Sequence, residues 1–142
     1  MNQYLAIFIG GLIPMVVGYI YYHPKFFGTA WMKSLGVTEE TLREGNMGLL
    51  MGLSTVISMV ISWRMNGYAS HTEPGWSQFV HGFFHGAWST GFPAVLVLIS
   101  NGLFQRNTLT NLLINALYWL LALGLMGAFL YSVAPPEVAT GG

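Results

Sequence analysis

Three polar side chains recur along one face of an apolar stretch, and they have the residue types that could do chemistry. His81, His85 and Ser89 are four residues apart, so on a helix they lie in one row, with Gln78 on the same side. Two imidazoles at this spacing could bind one metal ion. His71 and Glu73 in the preceding loop could complete a set of three nitrogens and one oxygen for Zn²⁺ or Cu²⁺.

The same row supports two further interpretations. The histidines could hydrogen-bond to Gln78, Ser89 or backbone groups, or they could relay protons, because histidine has a pKa near neutrality. Metalloprotease chemistry is not indicated, because Gly82 stands where the HExxH motif has glutamate. The row alone leaves hydrogen bonding, metal binding and proton relay open.

The stretch from Trp76 to Phe104 has to position this row, and no Asp, Glu, Lys or Arg interrupts it. A neighbouring row of small residues, Gly82, Gly86 and Thr90, predicts a groove that another helix can approach closely. Pro93 is expected to bend the helix near Ser89, because it cannot donate a backbone hydrogen bond. The side predicted to face lipid carries Phe79, Val80, Phe83 and Ala87.

Composition places the whole chain in a membrane. Only 7% of its 142 residues are charged, against roughly 25% in soluble globular proteins. The charge-free runs reach about 20 residues, the length that crosses a hydrocarbon core. We predict a single all-α membrane domain, residues 1–142, that forms a four-helix bundle with spans at about residues 4–22, 46–64, 77–104 and 109–133.

Residues 23–45 form the longest polar stretch between the predicted spans. Pro24 suits the first position of a helix, and an amphipathic pattern predicts an interfacial helix over about residues 24–36, ended by Gly36. Thr38 is predicted to cap a second short helix that contains Glu39 and Glu40.

Small and polar residues within the other spans predict close helix packing. The first span repeats them four residues apart and contains Pro14; the second has Gly48 and Gly52, followed by a serine row. Asn111 and Asn115 share one face of the fourth span. The small residues of the first span are Ala6, Gly10 and Gly18, and the serine row is Ser54, Ser58 and Ser62.

Charge predicts the orientation and limits the partners. Lys25, Lys33, Arg43 and Arg106 lie in the first and third connections, whereas Arg64 adjoins the second. We predict that the protein lies in the cell (inner) membrane. The positive-inside rule places the first and third loops on the cytoplasmic side and both termini on the outer side. The net charge is zero and no basic run exists, so the expected surroundings are the lipid bilayer and not nucleic acid.

One motif resembles a known family. The run Tyr22-His23-Pro24-Lys25-Phe26-Phe27-Gly28-Thr29-Ala30-Trp31-Met32-Lys33, followed by Leu35-Gly36, resembles the opening of small bacterial membrane proteins grouped as domain of unknown function 1761. His85-Gly86, Pro93, Asn101-Gly102-Leu103-Phe104 and Met126-Gly127 are similar to the rest of that pattern. His23 departs from it, because a small polar residue is expected before the proline. The resemblance implies a compact multi-span membrane protein and no established activity.

These features favour a noncatalytic packing module, without cofactor, that forms a homo-oligomer or an accessory subunit of a larger membrane complex. No charged residue lies in the middle of a predicted span, which disfavours carboxylate-coupled transport and acid-base catalysis. One alternative is a small channel or transporter-like protein whose entrance is lined by the histidines and Ser89. Another is a metal-binding membrane protein.

Overall fold

The computed structural model describes residues 1–69 and 75–134, which form helices joined by short turns, with no strand among them. The α-helices are α1 (Gln3–Tyr21), α2 (Gly28–Leu35), α3 (Glu39–Arg43), α4 (Met47–Asn66), α5 (Gln78–Phe84), α6 (Phe92–Phe104) and α7 (Leu109–Val133). A π-helical segment, His85–Gly91, joins α5 to α6 without a break.

Four helices within these described residues are long and apolar enough to cross a membrane: α1, α4, the continuous helix Gln78–Phe104, and α7. Many of their large apolar side chains are exposed, which a bilayer tolerates and water does not. A polar side chain caps the first turn of each of these helices through a backbone N–H. The capping residues are Asn2, Asn46, Ser77 and Thr108.

The fourth span, α7, lies at the centre of the bundle. Half of its most apolar stretch is buried within the chain, compared with 28% for α1 and 11% for α4. It packs against α1, α2, α4, α5, the π-helical segment and α6. Small residues allow this central position, because Ala122, Ala128, Gly124 and Gly127 are buried where neighbouring helices come close.

Contacts between α1 and its neighbours explain two sequence features. The Tyr118 hydroxyl on α7 donates to the carbonyl of Pro14, 2.7 Å away, in the middle of α1. Ser62 on α4 donates to the carbonyl of Ile7, 2.8 Å away, across the α1–α4 contact. Ser58 is also buried whereas Ser54 is exposed, so the serine row contributes to packing over its second half only.

One of the two short helices, α2, begins later than predicted. Residues 24–27 form a turn, and α2 begins at Gly28, so Pro24 is not the first residue of a helix as we had predicted. The reason is local: the N–H groups of Phe26 and Gly28 both bond to the carbonyl of His23, which holds the chain in a turn. Gly36 ends α2 with φ 67°, and the Thr38 side chain caps α3, both as expected.

Candidate functional site

The predicted polar row lies beside a groove. His81, His85 and Ser89 line a cavity of about 350 Å³ together with three aromatic residues. The volume is at the lower end of the range for small-molecule sites. Trp76 stands before α5, and its ring meets that of Phe84 edge to face, with centroids 5.1 Å apart. Trp88, on the other side, is stacked on Phe92 at 4.7 Å.

Half of the residues that line this groove, His85, Trp88 and Ser89, belong to the π-helical segment His85–Gly91. Pro93 follows it by two residues and has no N–H to donate to the carbonyl four residues earlier, at Ser89. Gly86 and Gly91, at or near the ends of the segment, have weak helix propensity. The predicted disturbance near Ser89 therefore takes the form of a widened turn, a feature that often occurs at functional sites.

The two imidazoles are held by an aromatic residue of α7. Their ring centroids are 4.7 Å apart, and the Tyr131 ring stacks on His85 with an interplanar angle of 15°. Tyr131 also meets His81 edge to face at 5.2 Å. His81 is buried, with 5% of its surface exposed, whereas His85 is half-buried. The row has therefore one inner and one outer imidazole.

Ser89 extends the polar edge outward. Its hydroxyl lies 3.4 Å from His85 Nδ1, at the far limit of a hydrogen bond. Ser89 is exposed, so this hydroxyl can also bond to a molecule in the groove. Gln78, the fourth member of the predicted row, does not line the cavity. Its Oε1 atom is buried, with no partner among the described residues.

The predicted metal set is only partly within the described residues. His71 and Glu73 lie outside them, and no group of three or more His, Cys, Asp or Glu that could hold a metal ion occurs in residues 1–69 and 75–134. His81 and His85 alone could supply two nitrogen ligands. Zinc or copper binding stays a prediction that requires ligands from elsewhere.

Behind the histidines, two glycines bring the third span directly against α7. A Cβ on Gly82 would fall on the carbonyl oxygen of Gly127, and one on Gly86 would fall on that of Leu123. The groove predicted for another helix is thus filled by α7. Phe83 was expected to face lipid and instead lies against Gly124, because the missing side chain leaves a slot for its ring.

A second polar cluster lies at the opposite end of α7. The Tyr22 hydroxyl donates to Asn115 Oδ1 at 2.8 Å, and Asn115 Nδ2 donates to Asn111 Oδ1 at 3.1 Å. Asn111 Nδ2 then donates to Ser34 Oγ at 3.3 Å, which connects α7 to α2. The spacing of Asn111 and Asn115 predicts that they share one face of α7, but it does not predict their partners on distant segments.

The family-like motif forms the turn that brings α2 to this cluster. A Cβ on Gly28 would strike the Tyr22 carbonyl, so glycine is required there. Phe27 stacks on Tyr21 at 4.5 Å, and Trp31 meets Tyr22 edge to face at 5.4 Å. The motif residues therefore position α2 against α7 and do not contribute to the histidine groove.

His23 fits this turn in spite of its unusual side chain. The N–H of Lys25 donates to His23 Nδ1 at 3.2 Å, the bond that a serine or asparagine makes to a backbone N–H two residues on. The side chain of Thr29 donates to the carbonyl of Pro24 at 3.0 Å and closes the turn from the other side.

The motif lies within a region that matches a known family model. The model described as "Protein of unknown function (DUF1761)" matches residues 5–131, nearly the whole chain. The chain belongs to the DUF1761 family. The match covers both the α2 turn and the histidine groove of this DUF1761 protein. No curated protein and no solved structure matches the chain.

Proposed function

We propose that this DUF1761 protein is a noncatalytic membrane module whose second span, α4, packs against the same span of a second copy. The observation that carries the proposal is the position of Gly48 and Gly52. A Cβ on Gly52 would meet no atom within 4 Å, and one on Gly48 would approach only the side chain of Asn46, at 3.7 Å.

The other glycines of the spans are used for packing within the chain. A Cβ on any of them would come within 3.2 Å of a neighbouring atom, which glycine avoids. Gly48 and Gly52 therefore form a GxxxG pair that nothing in residues 1–69 and 75–134 covers. The packed glycines are Gly10, Gly11, Gly18, Gly82, Gly86, Gly91, Gly102, Gly124 and Gly127.

The surroundings of this pair suit a helix partner. All residues from 47 to 54 are exposed, whereas in the second half of α4 Ser58, Ser62 and Met65 are buried and Ser62 bonds to Ile7 on α1. A GxxxG face is complementary to itself, because two identical helices can cross with their backbones in contact at the glycines. This self-complementarity favours a homo-oligomer over an accessory subunit of a larger complex.

The absence of cysteine from the chain allows a direct experiment. Val56→Cys places a thiol one turn beyond Gly52, and Val97→Cys on α6 is the control, since the two valines are 59% and 61% exposed. Oxidation in native membranes should produce a disulfide-linked dimer from Val56→Cys only. Adding Gly52→Leu should abolish this dimer, whereas adding Ala94→Leu, at an exposed α6 residue, should leave it intact.

Two results would overturn the proposal. One is equal cross-linking at positions 56 and 97, which would indicate random collision. The other is a monomer that copurifies stoichiometrically with a different membrane protein, which would make the chain an accessory subunit.

The proposed orientation has both termini outside the inner membrane. Lys25, Lys33 and Arg43 lie between the first two spans and Arg106 follows the third, so these four cations would be cytoplasmic. The histidine groove would then open near the outer surface and the Tyr22–Asn115 cluster near the inner one. A reporter that is active only in the cytoplasm, fused after residue 142, should be inactive; an active reporter would reverse the orientation.

A further inference from the structure

The histidine groove is independent of the α4 face, and we propose that it binds a membrane-soluble quinone. The ligand class is a flat ring that carries carbonyl or hydroxyl oxygens and an apolar tail. Of five cavities compared among the described residues, this one alone combines aromatic walls with a polar edge that includes imidazoles.

The walls of the groove suit a flat ring. Trp76, Phe84 and Trp88 are 49%, 55% and 65% exposed, so each ring keeps surface that an occupant can contact, although one face of Trp88 is covered by Phe92. Aromatic side chains stack favourably on a ring of similar size. The lining is mostly apolar, and a cavity of about 350 Å³ can hold one substituted six-membered ring with the start of its tail.

The polar edge suits an oxygen on that ring. When His85 carries its proton on Nδ1, it donates to Ser89 Oγ at 3.4 Å, and the serine hydroxyl is then directed to another acceptor. A quinone carbonyl is such an acceptor. Tyr131, stacked on His85 at 5.4 Å, restricts the rotation of the imidazole and so fixes the direction of this pair.

The depth of the groove agrees with a molecule that enters from the bilayer. With a rise of about 1.5 Å per residue, His81 lies about 5 Å and Ser89 about 16 Å along the third span from Gln78. The groove thus begins near the membrane surface and extends toward the hydrocarbon. A ring could lie at the polar edge while its tail remains among the acyl chains.

A cationic headgroup fits less well. Aromatic walls attract cations, but the six described residues that line the groove include no acid to neutralise one. The imidazole N–H groups and the Ser89 hydroxyl at the edge are hydrogen-bond donors, and a fixed positive charge cannot accept a hydrogen bond from them. A neutral oxygen acceptor has neither disadvantage.

Binding of a decyl-substituted benzoquinone to the purified full-length protein in detergent tests this assignment. The measurement is the equilibrium dissociation constant, and decylbenzene, which has the same tail but no ring oxygens, is the reference ligand. We expect saturable binding of one quinone per chain and only unsaturable partitioning of decylbenzene. Ser89→Ala should weaken quinone binding by about fivefold, the effect of one hydrogen bond.

The aromatic wall has a matched control. Trp88→Leu should also weaken binding about fivefold or more, whereas Trp63→Leu on α4 should not, although Trp63 is exposed to nearly the same extent, 63%. Equal partitioning of both ligands would overturn the proposal, as would equal losses from the two tryptophan variants. Tighter binding of decyltrimethylammonium than of the quinone would overturn the ligand class. Failure of dimer cross-linking at position 56 would leave these outcomes unaffected.

Discussion

Replacing Gly86 with alanine is predicted to destabilise the bundle by forcing the third span away from α7. The new methyl group would fall on the carbonyl oxygen of Leu123, with Gly124 Cα at 3.0 Å, and both are backbone atoms that cannot rotate aside. The helices would have to separate by about 1 Å, which forfeits a quarter to a half of the dispersion energy of the contacting atoms. Overpacking of this kind costs about 1–3 kcal/mol.

Gly52→Ala is the matched control for this prediction. Its methyl group meets no atom within 4 Å, so the stability of the single chain should be unchanged or slightly higher, because alanine is the better helix former. Unfolding by sodium dodecyl sulfate in mixed micelles, followed by far-ultraviolet circular dichroism, gives both values. Gly86→Ala should unfold at a lower mole fraction of the denaturing detergent. Equal midpoints for the two variants would refute the close contact between the third span and α7.

The same unfolding assay checks three further predictions. Asn111→Leu removes the bonds to Asn115 and Ser34 and should cost about 1 kcal/mol, at about 0.6 kcal/mol per bond in a membrane; no loss would contradict a stabilising cluster. Ser62→Ala should also destabilise, by up to about 1 kcal/mol, whereas Ser54→Ala should be neutral; equal effects would contradict the α1–α4 bond. His23→Asn should preserve stability and His23→Ala should lower it by about 1 kcal/mol, and the reverse order would exclude the proposed turn.

The sequence predicts the class and the spans because hydrocarbon thickness imposes a simple length rule. The observed helices Gln3–Tyr21 and Leu109–Val133 lie close to the charge-free runs. The row of His81, His85 and Ser89 is also predictable, because helical spacing alone brings side chains four residues apart together.

Other parts of the site depend on distant residues or on irregular backbone. Trp76 precedes the helix, so the periodicity of the third span gives no reason to place it on the groove. The position of Phe83 is decided by the missing side chain of Gly124, 41 residues later. The π-helical segment also changes the angles that a regular helix would give, and the proline rule predicts a disturbance there without its form.

The exposed GxxxG pair shows a different limit of prediction from sequence. The motif at Gly48 and Gly52 predicts a helix contact, but the sequence does not say whether the partner belongs to the same chain. Only the fold shows that the other span glycines are already in contact and that these two are not. The expectation that two copies associate therefore depends on where the motif lies in the folded bundle and not on the motif alone.

The central claim is that acyl chains surround the exposed apolar faces of the four spans. A nitroxide attached through Val97→Cys, at a position 61% exposed and inside the third span, measures this directly, with Glu40→Cys in α3 as the control. In lipid bilayers the label at position 97 should collide with oxygen more often than with a water-soluble nickel chelate, and the label at position 40 should show the opposite. Equal access of the nickel chelate to both positions would contradict the account.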